Sequence, residues 1–209
     1  MQKPTSDQLK TAQELRAQMS GWRAIDELIT SVFRRYGQNS DRFLVLLKVR
    51  LINRLYNTSI KAEYQLAQHI VRHDALLSTL LAEGNADAIQ RIANFGKNRR
   101  EQVFASKFAH FHQPERFAIG DKYVDKALKA LGLKPWNRSV DTDGIAKAYQ
   151  GFYDQIRAIT RERQISLKEA DQYLWLRGQK EFAASKGVDD LSEEVKQSMR
   201  DHPKLWERL

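Results

Sequence analysis

Apolar residues recur along this chain every three to four positions, the spacing of one face of an α-helix. No run alternates apolar and polar residues between turn signals, as a half-buried strand would. The pattern predicts an all-α fold. Ser6 or Asp7 can cap a first helix to about Met19, and Gly21 to Tyr36 carries Trp22, Ile25, Leu28, Ile29 and Phe33 at helical spacing. After a turn of Gly37, Asn39 and Ser40, Asp41 opens DRFLVLLKVRLINRLYNTSI, the most apolar helical stretch. Phe43, Leu44, Leu46, Leu47, Leu51 and Leu55 cover more than one of its sides, which predicts a central core helix. Its end turns polar at Asn53, Arg54, Asn57 and Thr58, residues that also suit turns and caps.

Ala62 to His73 and Asp74 to Leu81 read as two short helices that break at His73 and Asp74, and Ala86 to Phe95 as another, stopped by Gly96. Farther on, Asp141 or Thr142 caps a helix through about Ile159. Ser166 opens the next, with Glu169 completing a capping box. The tail, Val188 to Leu209, predicts a charged helix followed by His202 and Pro203 and packed loosely through Leu191, Val195 and Met199.

The chain's 209 residues suffice for one compact domain of two lobes built from interleaved helices. Lys and Arg outnumber Asp and Glu by 35 to 26, for a formal charge of +9, which favours a polyanionic partner. The absence of cysteine excludes disulfides, thiolate catalysis and Cys-ligated metal. A polar N-terminus and the lack of a long apolar run predict a cytoplasmic protein away from membranes.

The densest chemistry lies between Lys97 and Leu131. Asn98 followed by Glu101 fits a capping box, so a helix starts at Arg99 and must end near Gln113, before Pro114. Phe104, Phe108 and Phe111 form its apolar stripe, and Lys107 falls at the stripe's edge, between core and solvent. There it is either a snorkelling lysine or an amine that burial can tune towards nucleophilicity. Asp121 stands at the N-cap of a helix that ends at Gly132. That position explains it structurally, and also keeps an ionised carboxylate aimed outward, where it could stabilise a cationic transition state. The turn of Lys97, Asn98, Arg99 and Arg100 sits at a helix N-terminus and reads either as a phosphate-binding turn or as a solvated one. His110 and His112 face nearly opposite sides and cannot share a metal by themselves, so no metal site is read here.

The series FASKFAHF and then FAIGDKYVDKAL resembles the helix-hairpin-helix DNA glycosylases, whose hairpin has the form G-x-G-x-Lys-[Thr/Val]-Ala and is followed by Val-Asp-x-His-Val. Lys107 falls on the lysine, Ala109 on the alanine, Asp121 on the aspartate, Tyr123 on the histidine and Val124 on the valine. Upstream, LINRLYNTSI resembles the helix end Leu-Ser-x-Gln-Thr, with Asn57 and Thr58 at the amide and threonine positions. Phe104 and Ala105 stand near the usual hairpin glycines, and the Lys107–Asp121 interval is a few residues short, so the hairpin is degenerate.

The resemblance implies a two-lobed helical fold with a cleft, and a DNA glycosylase resembling bacterial 8-oxoguanine-glycosylase-like members. Such an enzyme flips a damaged or modified base out of double-stranded DNA and excises it, in repair or in defence against phage DNA. Asp121 and Lys107 would be catalytic. Lys97, Asn98, Arg99, Arg100, Asn53, Asn57 and Thr58 would hold DNA, and His110, Tyr123 and Trp136 would line the base pocket. The protein would act as a monomer without cofactor. The alternative is a non-catalytic helical module that binds DNA or another partner.

Overall fold

The structure, a computed structural model, describes residues 3–95 and 99–209, with the side chains of Arg99 and Arg100 outside the description. The fold is all-α, and no strand occurs among the described residues. No helix there is long and apolar enough to cross a membrane. The chain divides into two compact units. The first comprises Met1–Asp26, Gly120–Pro135 and Asp154–Leu209, and the second Glu27–Ile119 and Trp136–Tyr153.

In the first unit, α1 (Ser6–Gln18) is capped by Thr5, one residue before the expected Ser6 or Asp7. The reason is reciprocity: Thr5 Oγ1 accepts the Gln8 N–H, and the Gln8 side chain accepts the Thr5 N–H. The next helix, α2 (Ser20–Arg35), follows after a single residue. Its first amides are capped from far away in sequence, because Gly21 and Trp22 donate to the Glu194 carboxylate at 2.7 and 2.9 Å. Arg16 holds the corner by donating to the Trp22 carbonyl and pairing with Asp26.

Glu194 belongs to α11 (Glu193–Asp201), so the tail expected to pack loosely is pinned instead. Trp22 Nε1 donates to Ser192 Oγ, and Trp206, on α12 (Pro203–Arg208), donates to Ser198 Oγ. The charged surface of this segment hides directional bonds that an apolar count misses. The longest contact in this unit joins α8 (Lys122–Ala130) to α10 (Leu167–Lys186), which starts with the expected Ser166–Glu169 capping box. A Cβ added at Gly178 of α10 would lie 1.9 Å from the Tyr123 carbonyl oxygen, so the two backbones touch only because residue 178 lacks a side chain.

The second unit contains the part of α2 from Glu27 on, α3 (Arg42–Leu55), α4 (Glu63–Arg72), α5 (Asp74–Glu83), α6 (Asp87–Ala93), α7 (Arg99–His112) and the start of α9 (Ile145–Arg163). Helix α6 ends at Ala93, before Gly96, which lies outside the described residues. A 3-10 turn at Thr142–Gly144 precedes α9, and the Gln90 side chain caps the amide of Ala146. Helix α9 then runs past Ile159 to Arg163.

The enclosed helix is α7, not α3. Glu101, Gln102 and every residue from Phe104 to Phe111 are buried, polar ones included. Helix α3 buries only Val45, Lys48, Val49 and Ile52, while Phe43 is 65% and Leu47 42% exposed. Apolar content alone misleads here, because a helix is central when elements pack on every side of it, whatever its composition.

Gly178→Ala should lower stability by about 3 kcal/mol, since the new methyl must separate α8 from α10. Urea unfolding of the two proteins measures this, and a change within error would mean that the helices move apart freely.

Candidate functional site

Asp121 lies in the first unit with extended backbone (φ −143°), and its carboxylate accepts the N–H groups of Tyr123 and Val124 at 2.9 and 3.0 Å. The carboxylate thereby caps two free amides at the start of α8. The helix ends as expected with Gly132 in the left-handed region (φ 71°), where its N–H and that of Leu133 close the last turn. Asp121 is largely buried, at 9% exposure.

Lys107 belongs to the second unit and is only 3% exposed, so it lies inside rather than at the boundary expected from the helical wheel. The shift follows from the enclosure of α7. Its ammonium stands 4.6 Å over the ring of Tyr56, a cation–π arrangement. Tyr56 also meets Phe111 edge-on, one turn along α7. It is the C-cap of α3, immediately before Asn57 and Thr58. The end of α3 and the middle of α7 therefore touch.

The loop after α3 is built around Asn53. Its Oδ1 accepts Thr58 Oγ1–H at 2.9 Å and the Ile60 N–H at 2.8 Å, while its Nδ2 donates to the Ile60 carbonyl and Glu63. Thr58 is buried. Asn53 and Thr58, expected on DNA, thus make the loop's own hydrogen bonds. Asn57 and Ser59 are exposed and have positive φ (47° and 59°), an uncommon geometry, above all for serine, that concentrates at functional loops. Lys97 and Asn98 lie outside the described residues. For Arg99 and Arg100 the structure gives a helical backbone, beginning where the sequence predicts.

The residues expected to line a base pocket come from both units. His110 is buried and donates from Nδ1 to the Phe117 carbonyl at 2.8 Å. Trp136 is buried in the second unit, stacked on Phe152 at 5.6 Å and edge-on to Tyr149. Tyr123 belongs to the first unit, edge-on to Phe182 and Trp175 of α10, with Lys122 over its ring. The second unit does hold a cavity of about 380 Å³, lined by Leu76, Leu80, Asp87, Gln90, Arg91, Asn94 and Asp143. None of these was singled out by the sequence, because their helical spacing reads as ordinary surface.

Sequence reasoning also passed over a buried polar cluster in the second unit. Lys48 is fully buried and donates to the Gln38 carbonyl and to Asn39 Oδ1, both at 3.0 Å, with the Phe33 ring 5.1 Å away. Asn39 Oδ1 also contacts His112 Nε2 at 3.1 Å. Lysine can only donate, so the shared atom is an acceptor and His112 must carry its proton on Nε2. Only the helical spacing of Val45, Lys48, Val49 and Ile52 hinted at this cluster. Among the described residues no three or more His, Asp and Glu side chains are grouped to hold a metal.

Residues 6–116 match the HI_0787_N family, described as an N-terminal domain. The match spans α1 to α7, including Lys107 and the Asn53–Thr58 loop, and stops before Asp121. A Haemophilus influenzae protein (strain ATCC 51907 / DSM 11121 / KW20 / Rd), described as uncharacterized, is 30% identical over 145 residues, which cover 68% of this chain and 70% of that protein. No solved structure matches the chain.

The buried cluster sets an acid limit. Burial first, and then the nearby Lys48 charge, push the His112 imidazole down to about 3. An imidazole with a lowered folded-state pKa takes up its proton on unfolding below pH ~6.5, so its contribution is complete above that pH and is lost as pH falls towards 3. Burial pulls the Lys48 amine down to about 8, partly opposed by Asp74, so this group makes stability rise between pH 8 and its unfolded value near 10.5. His112→Gln should remove about 2 kcal/mol of the stability difference between pH 7 and pH 4.5. Urea midpoints at both pH values test this, and equal pH dependence in the two proteins would place the acid sensitivity elsewhere.

Proposed function

The chain belongs to the HI_0787_N family, and we propose that this member is a DNA N-glycosylase that excises a damaged or modified base. The observation that carries the reading is the buried Lys107 ammonium on the Tyr56 ring, which joins two sequence segments that resemble the glycosylases. Burying a lysine costs free energy that an apolar residue of the same shape would avoid, so an amine kept in such surroundings is a candidate for chemistry. The net charge of +9 favours double-stranded DNA as the partner, and a DNA enzyme working as a monomer in the cytoplasm fits a chain without cysteine.

The base is flipped from the stack, because the duplex hides its glycosidic bond. As that bond breaks, the base leaves with the electron pair and takes up a proton, and positive charge develops on the sugar. Asp121, whose carboxylate accepts the amides of Tyr123 and Val124, stabilises that charge. Water then adds at C1′. In the bifunctional form the neutral amine of Lys107 adds there instead, and opening of the sugar ring leaves an imine that permits strand scission. Excision from phage DNA bearing modified bases is one use of such chemistry, and repair is the other.

A second reading, a non-catalytic DNA-binding module, draws on Asn53 and Thr58, whose side chains serve their own loop.

Duplexes carrying a panel of damaged and phage-type bases, treated with alkali after incubation, reveal abasic sites. Asparagine is a good N-cap, so Asp121→Asn should stay folded and bind DNA while losing base release by roughly 100-fold or more. Equal release by that variant, or no release by the parent, would sink the enzyme reading. Borohydride should trap the parent on DNA and spare Lys107→Gln if the lysine forms the imine.

A further inference from the structure

Helix α3 presents one stripe that is exposed among the described residues: Phe43, Leu47, Arg50 and Arg54. These positions recur at intervals of four, three and four, so they fall within about 60° of one another around the helix and extend for roughly 16 Å. The opposite side, Val45, Lys48, Val49 and Ile52, faces the core, which fixes the stripe outward. Isolated exposed apolar residues are ordinary, but a phenylalanine 65% exposed and a leucine 42% exposed one turn apart are not isolated.

The charges that α3 itself contributes have one sign. Helix α3 contains no acidic residue, and its arginines Arg42, Arg50 and Arg54 are all exposed. The Arg42 guanidinium lies 4.8 Å from the Phe43 ring, which brings its charge onto the stripe and orients the ring. Arg50 is paired with Glu63 at 3.1 Å. Arg54 and the exposed Lys61 lie on either side of Asn57 and Ser59, the exposed loop residues with positive φ.

We propose that this face of α3 docks on the sugar–phosphate backbone of double-stranded DNA, with Arg42 and Arg54 on phosphates and Phe43 and Leu47 against sugar and base edges. The stripe spans the rise of about five base pairs, enough for several phosphates of one strand. This surface is separate from the segments that resemble the glycosylase hairpin, and the inference rests on the DNA reading above for its partner. The face gives α3 a role that its composition conceals, an apolar helix left open because its outer side is a contact surface.

The test is fluorescence anisotropy of the full chain with a labelled 30-base-pair duplex over a series of salt concentrations. Arg42→Gln/Arg54→Gln should weaken binding by roughly tenfold or more at low salt and reduce the salt slope by about 2, one unit for each lost phosphate contact. Phe43→Ala should weaken binding while leaving the slope unchanged, because an apolar contact releases no counterions. Both substitutions are on the surface, and unchanged melting temperatures would show that the fold is intact. If the parent binds DNA and the double variant matches it in affinity and slope, the α3 surface is overturned while the glycosylase reading stands. If the parent binds no DNA at any salt, both fall. If the double variant loses binding only to phosphatidylserine vesicles and keeps its DNA binding, the face meets a membrane and the inference fails.

Discussion

The second unit depends on the enclosure of α7. A helix buried on all sides must satisfy every polar side chain it carries, since an unsatisfied buried group costs about 1–3 kcal/mol. Several of these side chains find partners. Ser106 donates to the Val103 carbonyl in its own helix, His110 reaches the Phe117 carbonyl, and His112 reaches Asn39, which also holds Lys48. Lys107 rests on Tyr56. The polar residues of α7 thus specify which loops lie against it, while Phe104, Phe108 and Phe111 supply apolar area, the latter two against Phe33. An apolar α7 would pack as well but would select its neighbours less sharply.

The first unit rests on a different constraint, the contact of two backbones. Because α8 lies against Gly178, the position of its N-terminus is set, and Asp121 goes with it. The carboxylate's own bonds to Tyr123 and Val124 then fix its direction. A cap residue is thereby made rigid by a glycine 57 positions later in the chain (178 − 121). Glu194 does the same for α2, which it caps from the C-terminal tail. In both cases the start of a helix is secured by a distant segment, which local signals do not reveal.

Functionally, these constraints give the proposed chemistry two very different supports. The Asp121 carboxylate is held in place by the amides of Tyr123 and Val124, so no rearrangement is needed when positive charge develops nearby. Lys107 is held over an aromatic face. Reaction through water asks for only the first support; the imine route asks for both. The open face of α3 is consistent with the same division of labour, in which burial serves one side of a helix and recognition the other.

The sequence alone determined what depends on a few neighbouring residues. Helical class came from the spacing, the bounds of α7 from Arg99 and Pro114, and the caps of α8 and α10 from Asp121 and from Ser166 with Glu169. Each is a local signal whose cause lies within about four positions, the reach of one helical turn. The burial of Lys107, the open side of α3 and the pinned tail were decided by tertiary structure. So was the Lys48–Asn39–His112 cluster, in which His112 meets a residue 73 positions away. Periodicity tells a helix which of its sides is apolar; it does not tell it how many neighbours will come to cover them.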